Sequence, residues 1–260
     1  GFTGADLENL LNEAAILAVR AKQPAITMGH LNEAMMKIIA GPQKRSRKQL
    51  ARDLRITAVH EAGHAVAMYF LPNHDPVHQI TIIPRGQAGG MTISLPEEDR
   101  SYLSKRYMED QIVALLGGRV AEKLCLGDIS TGASNDIQRA SSLAHKMVAT
   151  YGMSEKLGPV CFDSGSGEVF IGRDYQNTKS YSEKVAGTID EEVKALIDQA
   201  YDDCKAILEK DGDKLQQVVA YLMEHETMTG AQFADLMEGR KLSEASATAL
   251  TDGYGEEESE

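Results

Sequence analysis

His60-Glu61-Ala62-Gly63-His64 is an H-E-x-x-H pentad flanked by Ile56-Thr57-Ala58-Val59 and by Ala65-Val66-Ala67-Met68-Tyr69-Phe70. These apolar flanks predict a buried helix. On a helix, residues i and i+4 lie one above the other on a single face, so both imidazoles can reach one cation. Two histidines and a carboxylate hold zinc tetrahedrally and leave a fourth position open to water. Glu61 is turned about a quarter-turn from His60, toward that water rather than onto the metal, as a general base would be. A plain buried helix with two hydrogen-bonded histidines would carry the same spacing. A glutamate between them is costly to bury without a partner, which favours the metal reading.

On the C-terminal side of the pentad, Pro72-Asn73 ends the helix and the period changes to two. Val77-His78-Gln79-Ile80-Thr81-Ile82-Ile83-Pro84 and Gly89-Gly90-Met91-Thr92-Ile93-Ser94-Leu95-Pro96 read as two strands of a small sheet. The exposed edge of such a sheet suits pairing with an extended polypeptide. On the N-terminal side, the helix is expected to begin near Ser46, within the basic connector Lys44-Arg45-Ser46-Arg47-Lys48. Before the connector lie two short amphipathic helices. Thr3-Gly4-Ala5-Asp6 caps the first, Pro24 ends it, Thr27 caps the second and Gly41-Pro42 stops it.

Residues 101–126 are helical in pattern, with Gly117-Gly118 in the middle. Each glycine there costs about 1 kcal/mol relative to alanine, so close backbone packing is the expected reason for the pair. A Gly-containing loop, Gly127 to Ala133, leads to a helix over 134–151 with Asp136 in its first turn. A short hairpin is expected around Val160-Cys161-Phe162 and Glu168-Val169-Phe170-Ile171-Gly172, then helices over 178–209, 213–225 and 229–239. The fold class is therefore mainly α with a small β-sheet, and the acidic residues 241–260 are expected to be disordered.

Composition narrows the function. The 260 residues carry a formal net charge of −12 and are 42% hydrophobic, enough for one or two domains with a real core. An acidic chain without a long basic run argues against nucleic acid as the partner. Three widely spaced cysteines, Cys125, Cys161 and Cys204, form neither a disulfide framework nor a C-x-x-C metal site, which points to a reducing compartment. No apolar stretch reaches the roughly 18 residues of a membrane span, and no signal peptide opens the chain. A start at Gly1, without Met and in mid-motif, is the expectation for a fragment.

The third ligand is open at this level. The metzincin extension would need Gly at position 67 and His at position 70, where this chain has Ala67 and Phe70. His30, His74, His78, His145 and His225 sit in no ligand motif. Glu122, inside the apolar helix 101–126, and Asp136, at a helix start, are the two carboxylate candidates. Without a metal, Glu122 would pair with Arg119 or Lys123, and Asp136 would serve ordinary helix-start electrostatics.

Gly1-Phe2-Thr3-Gly4-Ala5-Asp6-Leu7-Glu8-Asn9-Leu10, the pentad with Ala65, Gly117-Gly118-Arg119-Val120-Ala121-Glu122 and Ser130-Thr131-Gly132-Ala133-Ser134-Asn135-Asp136 together resemble the FtsH family of ATP-dependent zinc proteases. The resemblance runs from residue 1 to about 240. It implies that residues 1–42 are the C-terminal part of an AAA+ lid, 43–240 a zinc peptidase domain and 241–260 a tail. It further implies His60, His64 and Asp136 as ligands to one Zn2+, Glu61 as the catalytic base and Glu122 as a nearby supporting acid. The implied partners are unfolded or membrane-protein substrates and further copies in a homohexamer. For the full-length protein, the resemblance implies use of ATP and Mg2+ and attachment to the cell membrane with this part on the cytoplasmic face. No G-x-x-x-x-G-K-[ST] loop and no membrane segment occur in these 260 residues, so those functions are expected of segments outside them. The rival class is a non-catalytic, zinc-stabilised hexamerisation module. Glu61 disfavours it, since a structural zinc site closes all four positions and has no use for an acid there.

Overall fold

The computed structural model describes residues 2–44, 50–86, 88–96, 100–162 and 181–242. The pentad helix, α3 (Ala51–Phe70), lies at the centre, and its residues from Ala58 to Ala67 are buried on every side. A helix apolar all round has to be an interior one. Around it, in chain order, come α1 (Gly4–Arg20), α2 (Met28–Ala40), β1 (Val77–Thr81), β2 (Met91–Ser94), α4 (Lys105–Leu126), α5 (Ser134–His145), α6 (Glu183–Lys210), α7 (Gly212–His225), β3 (Thr227–Thr229) and α8 (Gly230–Met237).

α4 lies along α3, with α6 against α4 and α7 against α3. Val59, Ala62 and Val66 of α3, Ile112, Leu116 and Val120 of α4, and Leu208, Leu215, Leu222 and Phe233 further on share one apolar core. Burying a side chain of that size contributes about 1.5–3 kcal/mol each, so the core holds the pentad helix rather than the reverse. Local chemistry marks the helix starts. Thr3 and Asp6 exchange the two bonds of a capping box on α1, and Ser104 accepts from the Tyr107 N–H at 3.1 Å at the start of α4. That cap places the start of α4 at Lys105, later than the expected 101.

The sheet is antiparallel in the order β2-β1-β3, with Ile80 opposite Thr92 on one side and Met228 on the other. The third strand corrects the two-strand expectation: Thr229, read as a helix start, also closes β3 before it caps α8. Three residues are too few to show a period of two. β1 is the central strand, and β2 and β3 form the two edges of the sheet.

Beyond His145 the helix widens into a π turn over Lys146–Thr150. Val160-Cys161-Phe162 form no strand; instead the Phe162 N–H donates to the Ala149 carbonyl at 2.8 Å, so that half of the expected hairpin is replaced by a tie to the helix end. The other half of the hairpin, the connector 45–49 and residues 243–260 of the tail lie outside the described residues. Cys125 and Cys204 are free thiols. Among the described residues no helix is long and apolar enough to cross a membrane.

Candidate metal centre

The site begins with three glycines. A Cβ on Gly63 would stand 2.4 Å from the Ala121 Cβ and 2.5 Å from the Gly117 carbonyl oxygen, and one on Gly118 would stand 2.4 Å from the His60 ring. The α3 and α4 backbones therefore touch, and His60 lies flat against bare α4 backbone. This is the reason for the Gly117-Gly118 pair in a helix that would otherwise be stabler with alanine.

α4 also sets the tautomers. The His64 Nδ1–H donates to the Ala114 carbonyl at 2.7 Å, and the His60 Nδ1–H donates to Glu122 Oε1 at 2.8 Å. With Nδ1 engaged on each ring, both Nε2 lone pairs face inward. They stand 3.0 Å apart, and Asp136 Oδ2 lies 3.3 Å from that of His60 and 3.6 Å from that of His64. All three ligand atoms fall within 4.8 Å of one another. Bonds of about 2.0–2.2 Å at tetrahedral angles would put such atoms roughly 3.3 Å apart, so the set fits one zinc ion with a position to spare.

Electrostatics agree with the geometry. Burial opposes charge on His60, but hydrogen bonds to Asp136 and Glu122 outweigh it and raise the ring to about 10. Burial would likewise raise Asp136, yet the two imidazoles hold its carboxyl well below the ordinary value. The pocket thus favours a positive charge at one point, which a bound metal ion would supply in place of a proton.

Asp136 reaches this point from another direction. Glu122 Oε2 accepts the Ser130 N–H at 2.6 Å and Oε1 accepts the Ser130 hydroxyl at 3.0 Å. The Ser130 oxygen in turn accepts from the Gly132 N–H at 3.1 Å, which opens a 3-10 turn over Thr131–Ala133 and delivers Asp136 in the first turn of α5. Glu122 is therefore shared between His60 and the turn before Asp136. Its carboxyl would rise on burial but is lowered by its bonds to His60 and Ser130. Arg119, one of the two partners open to Glu122 in the absence of a metal, donates instead to the Ser130 carbonyl at 3.3 Å.

Glu61 stands apart from the three. It is 6% exposed, and its Oε2 accepts the Thr92 hydroxyl of β2 at 2.8 Å. Burial pushes its carboxyl above the ordinary value, against the pull of His64, His60 and Thr92. A carboxyl shifted that way is a stronger base than one in water. A cleft of about 980 Å³ opens over the site, with Glu61, Asp136, Arg139, Met68 and the β2 residues among its walls. Thr92, the Ala114 carbonyl and Ser130 were not singled out from sequence. The one local signal that could have pointed here is Gly90, where a Cβ would stand 2.9 Å from Glu61 Oε1.

Three of the remaining histidines have contacts of their own. His30 caps α2 through Thr27, and His225 packs on Tyr221. His74 lines the same cleft, although its Nδ1–H is spent on the Asp75 carbonyl at 2.8 Å.

A helix that brings two imidazoles to a carboxylate from a distant segment, with a second acid on the same helix held by Thr92, is the pattern of the H-E-x-x-H class of metal-dependent peptidase. Comparison with known sequences narrows this class. The model of peptidase family M41 matches residues 48–236 and that of the AAA+ lid domain matches residues 1–33. The chain belongs to peptidase family M41.

It is 55% identical over 242 residues to ATP-dependent zinc metalloprotease FtsH 1 of Thermoanaerobacter sp. (strain X514), covering 93% of this chain and 40% of that protein. Identity to ATP-dependent zinc metalloprotease FtsH of Caldicellulosiruptor bescii is 52% over 237 residues, or 91% of the chain and 38% of the relative. The FtsH of Bacillus subtilis is 46% identical over 245 residues, with coverages of 94% and 38%. The chain thus spans about two fifths of the length of these curated relatives.

Proposed function

We propose that this chain is the zinc-dependent endopeptidase part of a longer AAA+ protein, with His60, His64 and Asp136 as the zinc ligands and Glu61 as the general base. The observation that carries the reading is the convergence of two imidazole Nε2 atoms and one carboxylate oxygen, all within 4.8 Å, with both Nδ1 atoms already spent on protein acceptors. Zinc, when bound, supplies Lewis acidity: it brings the pKa of water to about 7 and polarises a carbonyl. The protein supplies the rest. Glu61, held by Thr92 beside the ligand atoms, takes a proton from the attacking water and can return it to the leaving amine. His64 and His60 are kept in one tautomer by Ala114 and Glu122, so no ring rotation competes with binding.

In this reading residues 1–42 are the end of an AAA+ lid, 43–240 the peptidase domain and 241–260 an appended tail. The lid-domain match over residues 1–33 and the greater length of the relatives support it. ATP and Mg2+ act in the longer protein, where an ATPase ring delivers unfolded or membrane-protein substrates. The assembly is a homohexamer anchored in the cell membrane, with this part on the cytoplasmic face.

The test is Glu61→Gln. Peptide hydrolysis should fall by about 10²–10⁴-fold, the span attributed to positioned acid–base catalysis, while zinc content stays at one per chain. Near-normal turnover, or loss of the metal, contradicts the role assigned to Glu61. An inactive parent with zinc bound would instead favour the hexamerisation module.

A further inference from the structure

Arg85 is a buried charge with no part in the metal centre. It lies between β1 and β2, is 3% exposed, and forms a two-pronged pair with Glu33 of α2: Nη1 donates to Oε1 at 3.1 Å and Nη2 to Oε2 at 2.7 Å. The Gln43 side chain adds a third donor to Oε2 at 3.2 Å. Backbone contacts extend the joint. The Lys44 N–H donates to the Pro84 carbonyl at 2.8 Å, and Gly86 lies so close to the end of α2 that a Cβ would stand 2.8 Å from the Ala40 oxygen.

Beyond Arg85 the chain turns back through reciprocal bonds between Arg85 and Ala88, at 3.1 and 2.8 Å. It then reaches Gly90, where a Cβ would stand 2.6 Å from the Thr57 methyl and 2.9 Å from Glu61 Oε1. Two residues later Thr92 donates to Glu61. From the other side, Ile39 of α2 lines the same cleft.

We propose that Glu33 and Arg85 are positioning residues for Glu61. The pair fastens α2 to the near end of a segment whose far end walls the carboxylate, so the seating of the α1–α2 pair sets how tightly Gly90 and Thr92 hold the base. A forked guanidinium–carboxylate contact fixes orientation as well as distance, which a single hydrogen bond does not. Without its carboxylate, Arg85 is left as an uncompensated buried charge and has to withdraw toward water, taking Pro84 off Lys44 and Gly86 off the end of α2. The functional half of this inference rests on Glu61 being the base.

The experiment uses the full-length protein with a fluorogenic peptide too short to need unfolding, and compares Glu33→Gln, Arg85→Lys and the exchange Glu33→Arg with Arg85→Glu. Glu33→Gln should lower kcat on the order of tenfold with KM and zinc content unchanged, the pattern of a mis-set catalytic group. Amide exchange at residues 88–94 should quicken while α4 stays as protected as in the parent. Arg85→Lys keeps the charge without the fork and should show a smaller loss of kcat, and the exchanged pair should recover part of what Glu33→Gln loses. Unchanged kcat in Glu33→Gln, a loss of zinc with it, or exchange that quickens equally in α3 and α4 overturns the proposal. Should Glu61→Gln keep its turnover, the base assignment fails on its own, and exchange at 88–94 still reports whether the pair sets that segment.

Discussion

The α3–α4 pair and the α1–α2 pair are both packed pairs of apolar-patterned helices, yet they treat their apolar residues in opposite ways. In α3 every residue from Ala58 to Ala67 is buried, whereas in α1 only Ala14 and Ala18 are, and Leu7, Leu11 and Val19 are 48%, 53% and 75% exposed. The first pair has no slack. Glycine backbone meets glycine backbone, and an imidazole fills what remains. The second pair is joined to the rest by polar contacts at one end, through Glu33, Gln43 and Lys44. Metal chemistry needs ligands held to within about half an ångström, and close packing of this sort is how a helix pair achieves it.

The contrast is tested most severely at Gly118. Gly118→Ala sets a methyl 2.4 Å from the His60 ring, so zinc should fall to background by elemental analysis, and overpacking should cost about 1–3 kcal/mol or more in urea unfolding. Gly63→Ala should be as damaging to stability, because its nearest obstacles are the Ala121 Cβ and the Gly117 backbone, which cannot rotate away. A folded, metal-loaded Gly118→Ala protein would show that the pair has room the structure denies.

Next in size come the two carboxylates. Asp136→Ala removes a donor atom and should weaken zinc by more than the 10–100-fold typical of a lost partner to a ligand, with activity lost in step. Glu122→Gln should keep the metal, weakened by about 10–100-fold, because the amide no longer accepts equally from His60 and Ser130. Zinc titration reads both. Full affinity in the Asp136 variant beside loss in the Glu122 variant would reverse their roles.

The smallest effect belongs to the open pair. Val19→Ser on the exposed face of α1 should change the unfolding free energy of this chain by no more than about 0.5 kcal/mol, since it removes no buried contact. A shift several times larger in a denaturant melt would mean that this face is covered in solution.

Much of the helical half was legible from the sequence, and the reason is local. The spacing of His60 and His64 places them on one face of any helix, the apolar-rich flanks of the pentad demand an interior position, and Thr and Pro signals bracket α1 and α2. Gly117-Gly118 announced a close approach without naming what approached. The sheet was less legible. β3 has three residues, and its membership rests on pairing with β1, a partner about 150 positions away in the chain.

The identity of each carboxylate's neighbour was beyond any local pattern. Glu122 is 62 residues from His60 and Asp136 is 76, so spacing ranks neither above the other. Glu122 had two basic neighbours in its own sequence to pair with, and the fold instead gave it His60 and the Ser130 turn, because burial in the α3–α4 contact turns it away from solvent. Thr92 shows the same limit: a threonine in a strand carries no sign of the glutamate that it will meet. Periodicity places a side chain on a face of its own element, and only the packing of elements decides what that face touches.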